Sequence, residues 1–157
     1  MLKRGKQFFV LFFIFFLLFG TGCAGEEIKK NENANRIRAL YDSLDRLKKD
    51  YEAKNSSDFF SDLSSSFPDP DLFRNKTLEV FSQANTVTLN LYLDHIVLET
   101  TSSSLMVRWE GEWTFSSGSP LKNGGSAILK FSNEPVPRLV EIQGINPFLP
   151  PAKEKRS

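Results

Sequence analysis

Residues 105–115 read LMVRWEGEWTF. Leu105, Val107, Trp109, Gly111, Trp113 and Phe115 occupy one parity, and Met106, Arg108, Glu110, Glu112 and Thr114 the other. Successive side chains of a strand point to opposite faces. The run therefore predicts a long, half-buried antiparallel strand. Towards the N-terminus, Val87, Leu89, Leu91 and Leu93 alternate with Thr86, Thr88, Asn90 and Tyr92, which predicts a second strand. Past Asp94-His95 the apolar residues are Ile96, Val97 and Leu98, and the parity is lost. A one-residue slip exchanges the two faces of a strand, so a bulge or bend is expected near Asp94-His95, curving the sheet.

Towards the C-terminus, residues 116–125 (SSGSPLKNGG) read as a loop, with Asn123-Gly124 its turn signal. Ala127, Leu129 and Phe131 predict a short third strand. After Asn133-Glu134-Pro135, Val136, Val140 and Ile142 predict a fourth, ending at Gly144. Residues 146–157 are Pro-rich and then charged, as in a fraying end.

Upstream of the strands the period is helical. Ile37, Leu40, Tyr41, Leu44, Leu47 and Tyr51 recur at steps of three and four, with Asn33 or Asn35 placed to cap. Asp42 and Arg46 are spaced for an i,i+4 pair on the outer face. Asn55-Ser56-Ser57-Asp58 breaks this helix and caps a short second one that buries Phe59, Phe60 and Leu63. Asp69 as cap and Pro70 as first helical residue start a third, with Phe73, Thr77, Val80, Phe81 and Ala84 on one face. Helices followed by strands make an α+β domain: N-terminal helices packed in a curved antiparallel sheet of about four strands.

The chain has 157 residues, 20 Lys+Arg, 19 Asp+Glu, one His and one Cys. That is at most one ordinary domain. One Cys excludes an internal disulfide, and one Cys with one His argues against a zinc cage. Residues 1–22 hold Lys3, Arg4, Lys6, no acid and seven of the fifteen Phe. Without them the chain carries 17 basic and 19 acidic side chains, about −2, which speaks against nucleic acid as a partner.

The twelve apolar residues Phe8–Phe19 are too few for a transmembrane helix, which needs about 20. They fit the apolar region of an export signal, with the cationic residues before it. Gly20-Thr21-Gly22-Cys23 follows. This run resembles the lipobox of bacterial lipoproteins, over residues 1–23. Gly20 departs from the Leu, Val or Ile usual three places before the Cys. The resemblance implies a signal peptide over 1–22, cleavage before Cys23, and acylation of its thiol, the palmitate-type anchor of that class. Two acyl chains suffice for stable attachment. Ala24 after the Cys implies sorting to an outer membrane where the host has one. The expected organisation is signal 1–22, tether 23–33 (CAGEEIKKNEN), domain 34–148 and tail 149–157.

Three stretches together resemble the nuclear transport factor 2-like superfamily, whose fold is a cone shared with ketosteroid isomerases and polyketide cyclases. They are the opening RIRALYDSLDRLKKDYEAKNSSDFFSDLS, the bent strand before LMVRWEGEWTF, and the ending GGSAILKF…PRLVEIQGINPF. The resemblance covers about residues 34–148 and implies a pocket between helices and sheet. Members include enzymes and pure binding modules, so the fold does not choose between them.

An isomerase or dehydratase needs a general base and an oxyanion donor aimed into that pocket. The inward strand positions offer no carboxylate and no His. Glu110 and Glu112 have the outward parity. Asp94-His95 is the one tempting pair, but neighbouring strand residues face opposite ways unless a bulge turns one. No nucleotide-phosphate loop is present. The inner face is instead aromatic: Trp109, Trp113 and Phe115 on the strand, opposed by Tyr41 and Tyr51 on the first helix. Such residues line apolar ligand pockets or fill cores. The expectation is a lipid-anchored, non-catalytic cone domain of the cell envelope, without cofactor or metal, binding an apolar small molecule or an envelope protein. The alternatives are an envelope isomerase or dehydratase using Asp94 or His95, and a structural subunit docking through the outer sheet face or Pro147–Pro151.

Overall fold

The computed structural model describes residues 24–116 and 118–150, with side chains from Asn31 onward. The expected signal peptide, Cys23 and residues 151–157 lie outside the described residues. The compact unit begins at Arg36. Helix α1 spans Ala24–Glu52, α2 Ser56–Ser61 and α3 Pro70–Gln83. Strands β1 (Ala84–Leu98), β2 (Ser102–Phe115), β3 (Leu121–Ser132) and β4 (Leu139–Gly144) form one antiparallel sheet in the order β1-β2-β3-β4.

Residues 24–33 differ from the tether read in the sequence: their backbone is helical. Ala, Glu and Lys are strong helix formers and no Pro interrupts them, so a polar stretch without an apolar stripe still carries the helix back to Ala24. Leu40, Leu44, Leu47 and Tyr51 are buried as the stripe requires, but Tyr41 is 50% exposed. Arg46 does not pair with Asp42. Its guanidinium donates to Ser43 Oγ at 3.1 Å and reaches Asp62 at 3.2 and 3.3 Å. Asp62 is a buried carboxylate, and burial makes pairing worth far more there than on an exposed helix face. Lys54, at φ 55°, ends α1 in the left-handed conformation typical of a helix C-terminus.

Asn55 caps α2 as expected, accepting from the Asp58 amide at 3.4 Å. Asp69 occupies the cap position of α3 and Pro70 its first turn, but Asp69 sits at φ 45° and its side chain makes no capping bond. The left-handed backbone turns that side chain away from the amides it was expected to accept from.

In β1 the register slips between Leu93 and His95, leaving Asp94 as the bulged residue. Ile96 and Leu98 then take the inward parity and pack on the core. The expected loop around Asn123-Gly124 is strand: β3 begins at Leu121, and Gly124 and Gly125 pair with Glu110 and Trp109. Here glycine serves close approach rather than a turn. A Cβ on Gly124 would lie 2.9 Å from the Trp109 carbonyl oxygen. In β4 the inward residue is Leu139, fully buried, while Val136 is exposed outside the strand. A register shift opposite Lys130/Phe131 moves Val140 off the expected parity. Leu139 also ties the sheet to the segment after α2, through Leu139 N to Asp62 O (2.8 Å) and Ser64 N to Leu139 O (2.9 Å).

The inner sheet face and the helices close on one core. Leu89, Leu105, Trp109, Trp113, Leu129 and Phe131 come from the strands, and Leu40, Leu47, Tyr51 and Phe59 from the helices. Phe148, beyond β4, joins them.

Candidate functional site: the aromatic interior and the outer sheet face

Of the five residues expected to line a pocket, three come together. Trp109, Trp113 and Tyr51 are buried side by side. The indoles of Trp109 and Trp113 meet edge-on, with centroids 6.4 Å apart. Trp113 Nε1–H donates to Tyr51 Oη at 3.0 Å, and Tyr51 O–H donates to the Phe148 carbonyl at 2.7 Å. Trp109 Nε1–H donates to the Ile145 carbonyl at 2.9 Å. Burial pushes the Tyr51 phenol far above its usual pKa, with the Trp113 bond pulling weakly the other way. Tyr41 points away from this group and Phe115 is only half-buried, packing at its margin.

Sequence reasoning missed Phe148. Its ring lies 5.2 Å from both Tyr51 and Phe59, edge-on to each, and is fully buried. The signal was present in Gly144-Ile145-Asn146-Pro147-Phe148: a Gly and an Asn-Pro bend directly after a strand, followed by an aromatic. Gly111 closes this interior from the sheet side. A Cβ there would stand 2.4 and 2.8 Å from the Trp113 ring.

The outer sheet face carries the other candidates. A polar depression of about 370 Å³ is lined by Thr88, Asn90, Glu110, Glu112, Lys122 and neighbouring backbone. A more apolar one of about 290 Å³ is lined by Asp94, Met106, Ser126, Ile128 and Gln143 among others. Tyr92, Val97 and Met106 are exposed on this face. Asp94 is gripped by the Arg108 guanidinium through three contacts of 2.9 to 3.0 Å. Those bonds hold its carboxyl below the usual carboxylate range. His95 is exposed beside it, opposite Met106. The two do not form a dyad.

Among the described residues no group of three or more His, Cys, Asp or Glu is placed to hold a metal ion. No helix among them is long and apolar enough to cross a membrane.

No family model matches the sequence, and no curated protein does. Solved structures do match in fold. A conserved protein from Planctomyces limnophilus superposes with a TM-score of 0.61 at 12% identity, over 66% of this chain and 90% of that one. A nuclear transport factor 2-like superfamily protein from Salmonella enterica gives 0.59 at 11% identity, over 74% and 93%. Bd1075 from Bdellovibrio bacteriovorus gives 0.62 at 10% identity, over 73% of this chain and 42% of its own. Identities this low speak for architecture alone. Three N-terminal helices against a four-stranded antiparallel sheet in sequential order, matched by these structures, give this chain the cone-like fold of the nuclear transport factor 2-like superfamily.

Proposed function

We propose that the protein is a non-catalytic binding module, held on the non-cytoplasmic side of a bacterial membrane by acyl chains on Cys23. In this reading it engages an envelope protein with the outer face of its sheet. The observation that carries the reading is the filled interior. The space that would hold a ligand between helices and sheet contains Trp109, Trp113, Tyr51 and Phe148, with the indole and phenol donors already bonded within the chain.

The outer face suits a protein partner. Tyr92, Val97 and Met106 supply exposed apolar area, and Arg108, Lys122, Glu110 and Glu112 supply mixed charge around it. Aromatic and Met side chains with a polar surround are the usual composition of an interface. The sheet would curve about the helices at the Asp94 bulge and present this face outward. Asp94, ion-paired and more acidic than usual, is a poor proton acceptor, which weighs against base catalysis there.

The test is site-specific photo-crosslinking in the native host, with the photoreactive residue at Met106 or, as control, at exposed Leu72 of α3. A discrete adduct from Met106 and none from Leu72 is expected. Equal adducts from both positions, or none from Met106, would remove the outer-face reading. Cys23→Ser should move the protein from the membrane to the soluble fraction, and retention at the membrane would remove the anchor.

A further inference from the structure

The segment after β4 is held as a peptide ligand is held. Gly144, at φ 89°, turns the chain out of the sheet, and Ile145 N donates to Ser126 O at 3.1 Å. The Ile145 carbonyl accepts from Trp109 Nε1–H at 2.9 Å. Three residues on, the Phe148 carbonyl accepts from Tyr51 O–H at 2.7 Å. Between them Asn146 Oδ1 accepts from Phe148 N at 2.9 Å, a side-chain turn that sets the bend together with Pro147. The Phe148 ring fills a pocket walled by Tyr51 and Phe59. Two side-chain donors thus read two backbone carbonyls, and an aromatic pocket takes one side chain. The two side-chain donors and the pocket walls come from α1, α2 and β2, the backbone acceptor Ser126 O comes from β3, and only the Asn146 turn is internal to the segment.

We propose that this slot is a binding site for an apolar peptide segment with an Asn-Pro-type bend and an aromatic side chain, occupied in cis here by Ile145–Phe148 and open to such a peptide in trans when the segment swings out about Gly144. The inference goes beyond the outer-face reading and does not depend on it. The segment lies past the last ladder pair, Ala127 with Gly144, so its release breaks no strand pairing. Its backbone bonds to the sheet are few, so its opening is opposed chiefly by the buried Phe148 ring and the two side-chain bonds to its carbonyls. A tethered occupant competes with an effective concentration of order millimolar. The intact chain therefore binds a free peptide weakly, and weakening the cis occupant unmasks the site.

The test uses the full chain carrying Phe148→Ala and the peptide acetyl-Gly-Ile-Asn-Pro-Phe-Leu-amide as probe. Trp109 and Trp113 are the only tryptophans, so intrinsic fluorescence reports on the slot alone. A saturable change is expected, with an affinity at least about tenfold tighter than for the unmodified chain. The same peptide with Ala in place of Phe should give none. A folded Phe148→Ala chain, judged by a cooperative melt, that shows no saturable change up to millimolar peptide would overturn the proposal. Should the variant not fold, hydrogen exchange on the unmodified chain decides. The Trp109 indole N–H should exchange through an opening insensitive to low denaturant, while the Val107 amide exchanges only on global unfolding. Exchange of the indole only by global unfolding would equally overturn it.

Discussion

The Trp113 indole N–H donates to the Tyr51 hydroxyl at 3.0 Å, and that hydroxyl in turn donates a hydrogen bond to the Phe148 carbonyl at 2.7 Å. One oxygen from α1 therefore joins the middle of the sheet to the chain beyond its last strand. Both partners are buried and have no alternative. Tyr51→Phe leaves an N–H and a C=O unsatisfied, at about 1–3 kcal/mol for each. The expected outcome is a cooperative urea transition with an unchanged slope and a lower midpoint.

The same phenol sets an alkaline limit. Its folded pKa is raised by burial, so the folded state keeps the proton that the unfolded state gives up near pH 10. Stability from this group is complete below pH 10 and is lost as pH rises above it. The urea midpoint of the unmodified protein should fall more steeply above about pH 10 than that of Tyr51→Phe. Parallel curves for the two would show that Tyr51 ionises as readily folded as unfolded.

How far the sequence reveals this arrangement depends on which residues are asked. The strand parity of LMVRWEGEWTF fixes Trp109 and Trp113 as inward, and the parity break after Leu93 marks the Asp94 bulge; both follow from the period of two and both hold. Gly124 misled because the same residue serves turns and close backbone approach, and only the neighbouring Trp109 carbonyl distinguishes them. Leu139 was out of reach for another reason, and Phe148 was signalled only by the Gly and Asn-Pro residues before it, not by any period. A bulge in β4 and a bend at Asn146-Pro147 are set by tertiary partners, which no local period encodes. Tyr41 fits a helical stripe but faces water, since a stripe one residue wider than the buried face looks the same in sequence.

Gly111 is a steric requirement of the Trp113 ring. A Cβ would stand 2.4 Å from one ring carbon and 2.8 Å from the next, against an indole that is fully buried. Gly111→Ala should lower stability by about 1–3 kcal/mol through overpacking and shift the Trp fluorescence. Gly118→Ala is the control. It meets nothing within 4 Å, and only its φ of 99° resists the substitution, so a smaller loss is expected. Equal melting temperatures for the two variants would refute the clash.

Thr77 on α3 is fully buried, and its hydroxyl finds no partner among the described residues. An unsatisfied hydroxyl keeps its desolvation cost without a compensating bond. Thr77→Val preserves the branched shape and removes the polar atom, so it should raise stability by about 1 kcal/mol. Chemical denaturation checks this, and a loss of stability would mean that the hydroxyl is bonded in solution.

Asp50 gives a prediction of the same pH sense as the phenol, but in the acid range. Desolvation and then the nearby Asp58 and Asp62 charges raise its pKa, more than Arg46 and Asn55 lower it. A raised carboxyl favours folding when protonated, so its contribution is lost as pH climbs through its folded pKa. Asp50→Asn should therefore raise the urea midpoint at neutral pH, and the advantage should vanish as pH falls below about 4. A gain that persists in acid would assign the effect to something other than charge.

Arg36 and Asn133 hold the two turns at one end of the sheet together. Arg36 Nη2 donates to the Glu99 carbonyl at 2.7 Å, to Ser103 Oγ at 3.2 Å and to Asn133 Oδ1 at 2.8 Å. Asn133 Nδ2 donates onward to the Glu99 and Thr100 carbonyls at 3.0 and 2.8 Å. The pair thus fastens α1 to both the β1–β2 turn and the β3–β4 turn, a tie that no local pattern in the sequence marked. Each partner orients the other against a shared carbonyl, so the losses should not add. Arg36→Ala and Asn133→Ala should each cost about 1 kcal/mol, and the double variant less than the sum, with a coupling of about 0.5–1 kcal/mol. Strict additivity in that cycle would reduce the network to independent surface contacts. The coupling should also survive high salt, because its acceptors are carbonyl and amide oxygens rather than carboxylates, and screening acts chiefly between full charges.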